Sequence, residues 1–295
     1  MSAPFSLDES WFIGAGEPRA QAYRDAIAAF AARVGSFDTG ATRAPPADVT
    51  VLVPTLDEED YVLDAVRSLA LQTLRRDHPE HVHIMLVDSG STDATVARAG
   101  PFVDRVVIAP RGKLTALTSG VDSARGDIIV EADADGWYPP GWLARMVEPF
   151  TEEDVVAVRG VHVYHDSPAL RPMWRARRTI FGAFGNFPGG VRAYRRSTFR
   201  MTGGFRLDVD QSRFWSLWRE EEWRFRDRLA SEGRLVDARE AMCFKSARRS
   251  DPFFVRDARV DTFRAHASQE GRFRDGITDS LYRARRRLAA ALTLR

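Results

Sequence analysis

Between Val49 and Ala132 the chain alternates short apolar runs with helix-like stretches, and no other feature narrows the fold as much. The runs are VTVLV, HIMLV, RVVIA and DIIVEA, with helical patterns around Asp60–Gln72, Asp93–Ala99 and Leu114–Ala124. A strand that is apolar at consecutive positions is buried on both faces, and such strands alternating with helices build a parallel sheet covered by helices. The chain is therefore expected to be an α/β protein. Its 295 residues suffice for one large domain or two small ones.

Around this core the chain divides into three parts. Residues 1–47 hold one amphipathic helix, PRAQAYRDAIAAFAARVG, and a Gly/Thr/Pro linker, and form an N-terminal extension. Residues 48–250 form the main domain, with a first half over 48–142 and a second over 143–250. After Trp142 the pattern is mixed: strands at DVVAVRGVHVYH, GGVRAYRR and RLVDA, a long helix over Ser212–Glu232, and an aromatic-rich helix or loop over Met173–Gly185. Residues 251–295 form a tail of two basic helical segments.

The net charge of +2 conceals an uneven distribution. From Lys245 onward there are thirteen Lys+Arg against six Asp+Glu, so the body is mildly acidic and the tail basic. A basic tail suits a diphosphate, an anionic membrane surface or a solvated helical face. No nucleic-acid-reading motif accompanies the charge, so no nucleic-acid partner is expected. The single cysteine, Cys243, excludes an internal disulfide and a cysteine-rich zinc site and suits a reducing compartment. The first residues lack the basic and apolar regions of a leader, and no apolar run is long enough to span a bilayer, so a cytoplasmic protein is expected. Of the 43 basic residues only two, Lys113 and Lys245, are lysines.

In open α/β sheets ligands bind beyond the carboxyl ends of the strands. Here those ends read PTLDEED, DSGSTD and EADADGW. DSGSTD alone fits an ordinary capped loop, and neither GxGxxG nor a P-loop is present. EADADGW is less ordinary. On an extended strand residues i and i+2 share a face, which places Asp133 and Asp135 together at the strand exit. Two adjacent carboxylates repel unless a cation joins them or one is protonated. A hard ion such as Mg2+ or Mn2+ takes one or two carboxylates and accepts phosphate oxygens at its remaining positions, so the stretch reads as a metal–diphosphate site. Glu131 falls outside that role and is expected to pair with an arginine.

Five segments, in order, resemble the family 2 glycosyltransferases of the GT-A fold: VTVLVPTLDEEDYVLDAVRSL, LVDSGSTDAT, RGKLTALTSGVDSARGDIIVEADADGWYPPGWL, PGGVRAYRRSTFRMTGGF and EEEWRFRDRLASEG. The resemblance implies a Rossmann-like, mostly parallel sheet flanked by helices, a smaller mixed acceptor-side region and a helical C-terminal tail. It implies metal-dependent transfer of a sugar from a nucleoside-diphosphate sugar to an acceptor hydroxyl, with inversion. Pro54, Thr55, Glu58 and Asp88 would line the nucleoside pocket, with Lys113 near the donor. Asp133 would meet ribose and metal, and Asp135 would be the main ligand of a divalent Mg2+ or Mn2+. Gly189, Gly190, Arg192 and Trp223 would shape the sugar and acceptor pocket. Either Glu221 or Glu222 would be the base, with Glu222 favoured by its spacing to Trp223. Arg248 and Arg249, in the SARR cluster after Lys245, would face the diphosphate.

The acceptor is left open among a small molecule, a glycan and a lipid-linked molecule. MWRARRTIFGAFGNF and LYRARRRLAAALTLR suit either peripheral contact with a membrane or packing within the protein or a homodimer. Two other readings share these residues. A nucleotidyltransferase would carry a Gly-rich basic loop after the first strand, where this chain has the acidic PTLDEED; a catalytically inactive GT-A domain would bind nucleotide without transfer.

Overall fold

The computed structural model describes residues 17–34, 42–165, 190–206 and 217–246. The strands are β1 (Val49–Thr55), β2 (Val82–Asp88), β3 (Arg105–Ile108), β4 (Ile128–Ala132), β5 (Gly136–Trp137), β6 (Val155–Tyr164), β7 (Val191–Arg195) and β8 (Arg234–Lys245). The helices are α1 (Glu17–Val34), α2 (Val62–Ala70), α3 (Thr73–Asp77), α4 (Thr95–Ala99), α5 (Lys113–Ser123), α6 (Trp142–Val147), α7 (Arg196–Met201) and α8 (Leu217–Glu232).

All eight strands join one sheet in the order β3-β2-β1-β4-β7-β6-β8-β5. Its first four strands are parallel, and β7 then runs antiparallel to both β4 and β6. The sheet thus continues without a break across residue 142. The runs of β1, β2 and β4 are buried on both faces, as expected; β3, at the edge of the sheet, differs and leaves Val106 and Ile108 exposed. Val49, Val51 and Val53 of β1 point into one cluster with α2 (Val62, Ala65, Val66, Leu69) and α6 (Trp142, Met146). Leu52 points the other way, with Val87 and Ile129, into α5 (Leu114, Leu117, Val121) and α8 (Phe225, Leu229). The central strands β1, β2 and β4 therefore need apolar residues at consecutive positions, and this doubled requirement made their runs visible.

Between β1 and β4 the strand order reverses: β2 and β3 lie on one side, β4 and β7 on the other. The carboxyl ends of β1, β2 and β4 meet at that switch point, where a doubly wound sheet opens a crevice.

Two elements differ from the sequence reading. The strand expected at RLVDA runs on to Lys245; the polar stretch Asp237–Glu240 and a register irregularity against β6 interrupt its apolar pattern before the buried Ala241–Phe244. The pair Gly136–Trp137 forms β5 against Phe244 and Lys245, too short for any periodicity to register. Met173–Gly185 and the tail from 251 lie outside the described residues.

Within the N-terminal extension, α1 is docked through its first turns. Tyr23 of α1 is buried, stacks on Trp137 with ring centres 5.7 Å apart, meets His165 at a tilt with ring centres 4.4 Å apart, and donates a hydrogen bond to Asp64 Oδ2 at 3.3 Å. Arg19 Nε pairs with the same oxygen at 3.3 Å. Burial raises the Asp64 carboxyl from 3.8 to about 6, against the opposing pull of Arg19, the Tyr23 hydroxyl and Arg67. The folded protein therefore holds this proton more tightly than the unfolded chain does. Asp64 costs stability progressively as pH rises from about 4 to about 6, and up to about 3 kcal/mol above that. In urea titrations, Asp64→Asn is expected to gain on the parent across that window; a stability difference that does not change with pH would contradict the assignment.

Candidate active site

The first wall of the crevice is the β1–β2 pair. Thr55 and Asp88 are register partners at the two strand ends, and Thr55 Oγ1 donates to Asp88 Oδ1 at 3.2 Å. Asp88 Oδ2 accepts the backbone N–H of Gly90 and of Ser91, each at 2.9 Å, and Oδ1 also accepts Ser91 Oγ at 2.5 Å. These four donors fill the lone-pair positions of a carboxylate. Asp88 therefore holds the DSGSTD loop in shape at the wall of the crevice. Gly90, at φ +86°, supplies the left-handed residue the turn requires. Pro54 lies in β1 and is half-buried. Glu58 is buried just past it, its N–H donating to Thr95 Oγ1 at 2.7 Å and its carbonyl accepting the first N–H groups of α2.

The second wall is the end of β4. Ala132 is the last strand residue, and Asp133 to Asp135 form a turn into β5. Strand alternation therefore does not hold at the two aspartates; the turn, with Ser246 N–H donating to the Asp135 carbonyl, brings them together instead. Both are nearly buried, Asp133 8% and Asp135 5% exposed. Lys113 Nζ, at the first turn of α5, meets Asp133 Oδ1 at 2.8 Å. Lys245 Nζ, at the end of β8, meets Asp133 Oδ2 and lies 3.9 Å from Asp135 Oδ1. Both lysines of the chain thus converge on one aspartate. Burial would raise the Asp133 carboxyl, but the two ammonium groups hold it well below the usual carboxylate range.

Gly190 closes over this turn at φ +79°, where an added Cβ would lie 2.1 Å from Asp133 Oδ2. Gly190→Ala is expected to lose about 2 kcal/mol or more, from the left-handed backbone and from displacement of the carboxylate. A melting temperature equal to the parent's would contradict this packing.

The third component lies behind β4. Arg192 of β7 is fully buried, its Nε 2.9 Å from Glu131 Oε2 and its Nη1 3.5 Å from Glu222 Oε1. Its guanidinium lies over Phe205 and Phe225, at 5.0 and 5.4 Å from the ring centres. Arg192, with no exposed side-chain surface, bridges Glu131 and Glu222 inside the fold. Glu131 has the arginine partner foreseen for it, and Tyr194 Oη donates to its Oε1 at 3.0 Å. Glu222 does not form a surface ion pair with Arg226, which pairs instead with Asp227. Glu221 Oε1 accepts the N–H of Arg206 at 2.9 Å and pairs with Arg228 at 2.5 Å, and Arg228 also donates to the Gly204 carbonyl. Glu221 therefore ties α8 to the 204–206 loop.

Two contributors were not assigned to the site from sequence. Lys245 was visible as one of two lysines and as the first residue of the basic cluster with Arg248 and Arg249, with no contact to the aspartates foreseen. Gln72 accepts the Leu143 N–H at 2.8 Å and donates to the Tyr138 and Pro139 carbonyls at 3.0 and 2.8 Å, fixing the YPPGW segment after the turn; it sits between α2 and α3, where its sequence neighbours give no sign of these contacts. Gly189, Arg248 and Arg249 lie outside the described residues, as does the side chain of Trp223.

Among the described residues no cluster of three or more His, Cys, Asp and Glu forms a closed metal cage. The donor set at Asp133 and Asp135 is two hard carboxylates around a position already taken by a cation. That fits Mg2+ or Mn2+, which need only one or two carboxylates when a phosphate ligand completes the shell. No helix among the described residues is long and apolar enough to cross a membrane.

Comparison with known proteins agrees with this architecture. The mannosyltransferase PcManGT from Pyrobaculum calidifontis, solved with GDP-Man and Mn2+, superposes with a TM-score of 0.58 at 21% identity, over 94% of this chain and 73% of that one, which bears out the GT-A fold. Undecaprenyl-phosphate 4-deoxy-4-formamido-L-arabinose transferase of Klebsiella pneumoniae is 29% identical over 170 residues, covering 52% of this chain and 51% of the relative. Dodecaprenyl-phosphate galacturonate synthase of Rhizobium johnstonii is 27% identical over 186 residues, 58% and 54% of the two chains. The chain spans about half the length of these curated relatives. The model of glycosyl transferase family 2 matches residues 50–210, more than half of the chain and the span that holds β1, β2, β4 and both aspartates. The chain belongs to glycosyl transferase family 2.

Proposed function

We propose that the chain transfers a sugar from a nucleoside-diphosphate sugar to an acceptor hydroxyl, with a divalent metal held by Asp135 and Asp133 and with inversion at the anomeric carbon. The observation that carries the reading is the pair of nearly buried carboxylates sharing one cation position at the point where the sheet order reverses. The Mn2+ and GDP-Man of the archaeal mannosyltransferase support the metal and the donor class.

When bound, the metal would supply Lewis-acid stabilisation to the departing diphosphate. The protein's own groups do the rest. Thr55, Glu58 and the loop shaped by Asp88 form the wall for the nucleoside. Lys113 adds fixed positive charge beside Asp133, which stabilises an anion better than water can because its position is set before reaction. Glu222 takes the proton of the attacking hydroxyl. Arg192 holds that carboxylate in place, and Glu221, committed to Arg228 and the Arg206 N–H, holds the helix.

The names of the curated relatives favour a second reading of the acceptor, a prenyl phosphate. A phosphate oxygen is already deprotonated near neutral pH, so that reaction needs no base. UDP-, GDP- and dTDP-sugars incubated with Mn2+ test the proposal: release of a nucleoside diphosphate with sugar transfer supports it, and release of pyrophosphate from a nucleoside triphosphate would replace it with nucleotidyl transfer. Stimulation by undecaprenyl phosphate in detergent would select the second acceptor.

A further inference from the structure

We propose that Lys245 is a built-in counter-cation, occupying the metal position of the Asp133–Asp135 turn until a divalent ion displaces it. This rests on the metal-dependent reading above and adds what guards the site before the metal arrives. Two nearly buried carboxylates at one turn require a cation or a shared proton. Lys245 supplies the cation: its ammonium touches Asp133 Oδ2 and is the group that also reaches toward Asp135, at 3.9 Å. Lys113 neutralises the other oxygen of Asp133, at 2.8 Å. Two aspartates and two lysines make a cluster of zero net charge, so the turn can stay folded without metal.

The backbone at Lys245 is fixed. It pairs with Gly136 across β5 and β8, its carbonyl accepts the His165 N–H at 3.1 Å, and the next N–H, of Ser246, donates to the Asp135 carbonyl at 3.1 Å. Displacement therefore falls to the side chain alone. That side chain is 22% exposed and has a route to solvent. An ammonium and a divalent ion repel each other and cannot share two carboxylates, so metal binds in competition with the lysine. The ammonium released then needs an anion, and a diphosphate brought by the donor has that chemistry. A metal and a doubly charged donor also enter together without changing the net charge of the cluster.

The test is Mn2+ binding without nucleotide, read from the free-ion electron paramagnetic resonance signal in the full chain. Lys245→Met is expected to bind Mn2+ about tenfold more tightly than the parent, a coupling of ordinary size for two competing cations. Lys113→Met is expected to gain less. Lys245→Arg, which keeps the charge and guards against loss of folding in the Met variant, should bind as weakly as the parent or more weakly. Unchanged or weaker binding in Lys245→Met, an equal gain in Lys113→Met, or tighter binding in Lys245→Arg would overturn the proposal. A separate outcome, Asp135→Asn binding as tightly as the parent, would show that the metal reading itself had failed.

Discussion

Asp135→Asn is expected to reduce sugar transfer by at least about a thousandfold, the effect of losing several kcal/mol of metal-borne charge stabilisation. The substitution preserves the shape of the side chain and removes its charge. The carbonyl that accepts the Ser246 N–H belongs to the backbone and remains, so the turn into β5 should survive. Melting temperature should shift by only a few degrees. Activity near the parent's, with the fold intact, would remove Asp135 from the metal site. Asp133→Asn should be less easily interpreted: both lysines lose their shared partner at once, and stability falls together with activity.

Glu222→Gln has the second largest expected effect, a fall of about 10²–10⁴ in transfer to a hydroxyl acceptor with nucleotide binding retained. Gln keeps the volume and can still pack against Arg192, which retains Glu131 as its counter-ion at 2.9 Å. The result also decides the acceptor. A phosphate acceptor arrives without a proton to remove, so a variant that keeps most of its activity would argue for prenyl phosphate and against Glu222 as a base. Glu221→Gln should behave differently. Its carboxylate binds Arg228 and the Arg206 N–H, so the loss should appear first in thermal stability.

Much of the site was legible because its residues interrupt strong patterns. Three acidic or polar strand ends after VTVLV, HIMLV and DIIVEA stand out in runs that are otherwise apolar, and these runs are apolar because helices cover both faces of the sheet. Asp133 and Asp135 were paired correctly for the wrong reason: Ala132 ends β4, and a turn brings the carboxylates together where strand alternation was expected to. The second half of β8 was invisible because Asp237–Glu240 breaks its pattern, and that half delivers Lys245. Arg192 was given a place by the family resemblance alone; the cross-strand register opposite Glu131 is what reveals that it is buried as a bridge. Asp88 illustrates the same limit. Its four acceptor contacts depend on how the loop turns at Gly90, and composition carries no record of them.

The central claim is that a divalent ion at Asp135 joins this strand end to the diphosphate of a sugar donor. Calorimetric titration with the nucleoside diphosphate of the active donor tests it most directly, with Mn2+ and with a chelator, for the parent and for Asp135→Asn. Binding by the parent that requires Mn2+, and that is lost in Asp135→Asn, is the predicted result. Equal binding with and without the metal, or equal binding by the two proteins, would contradict it.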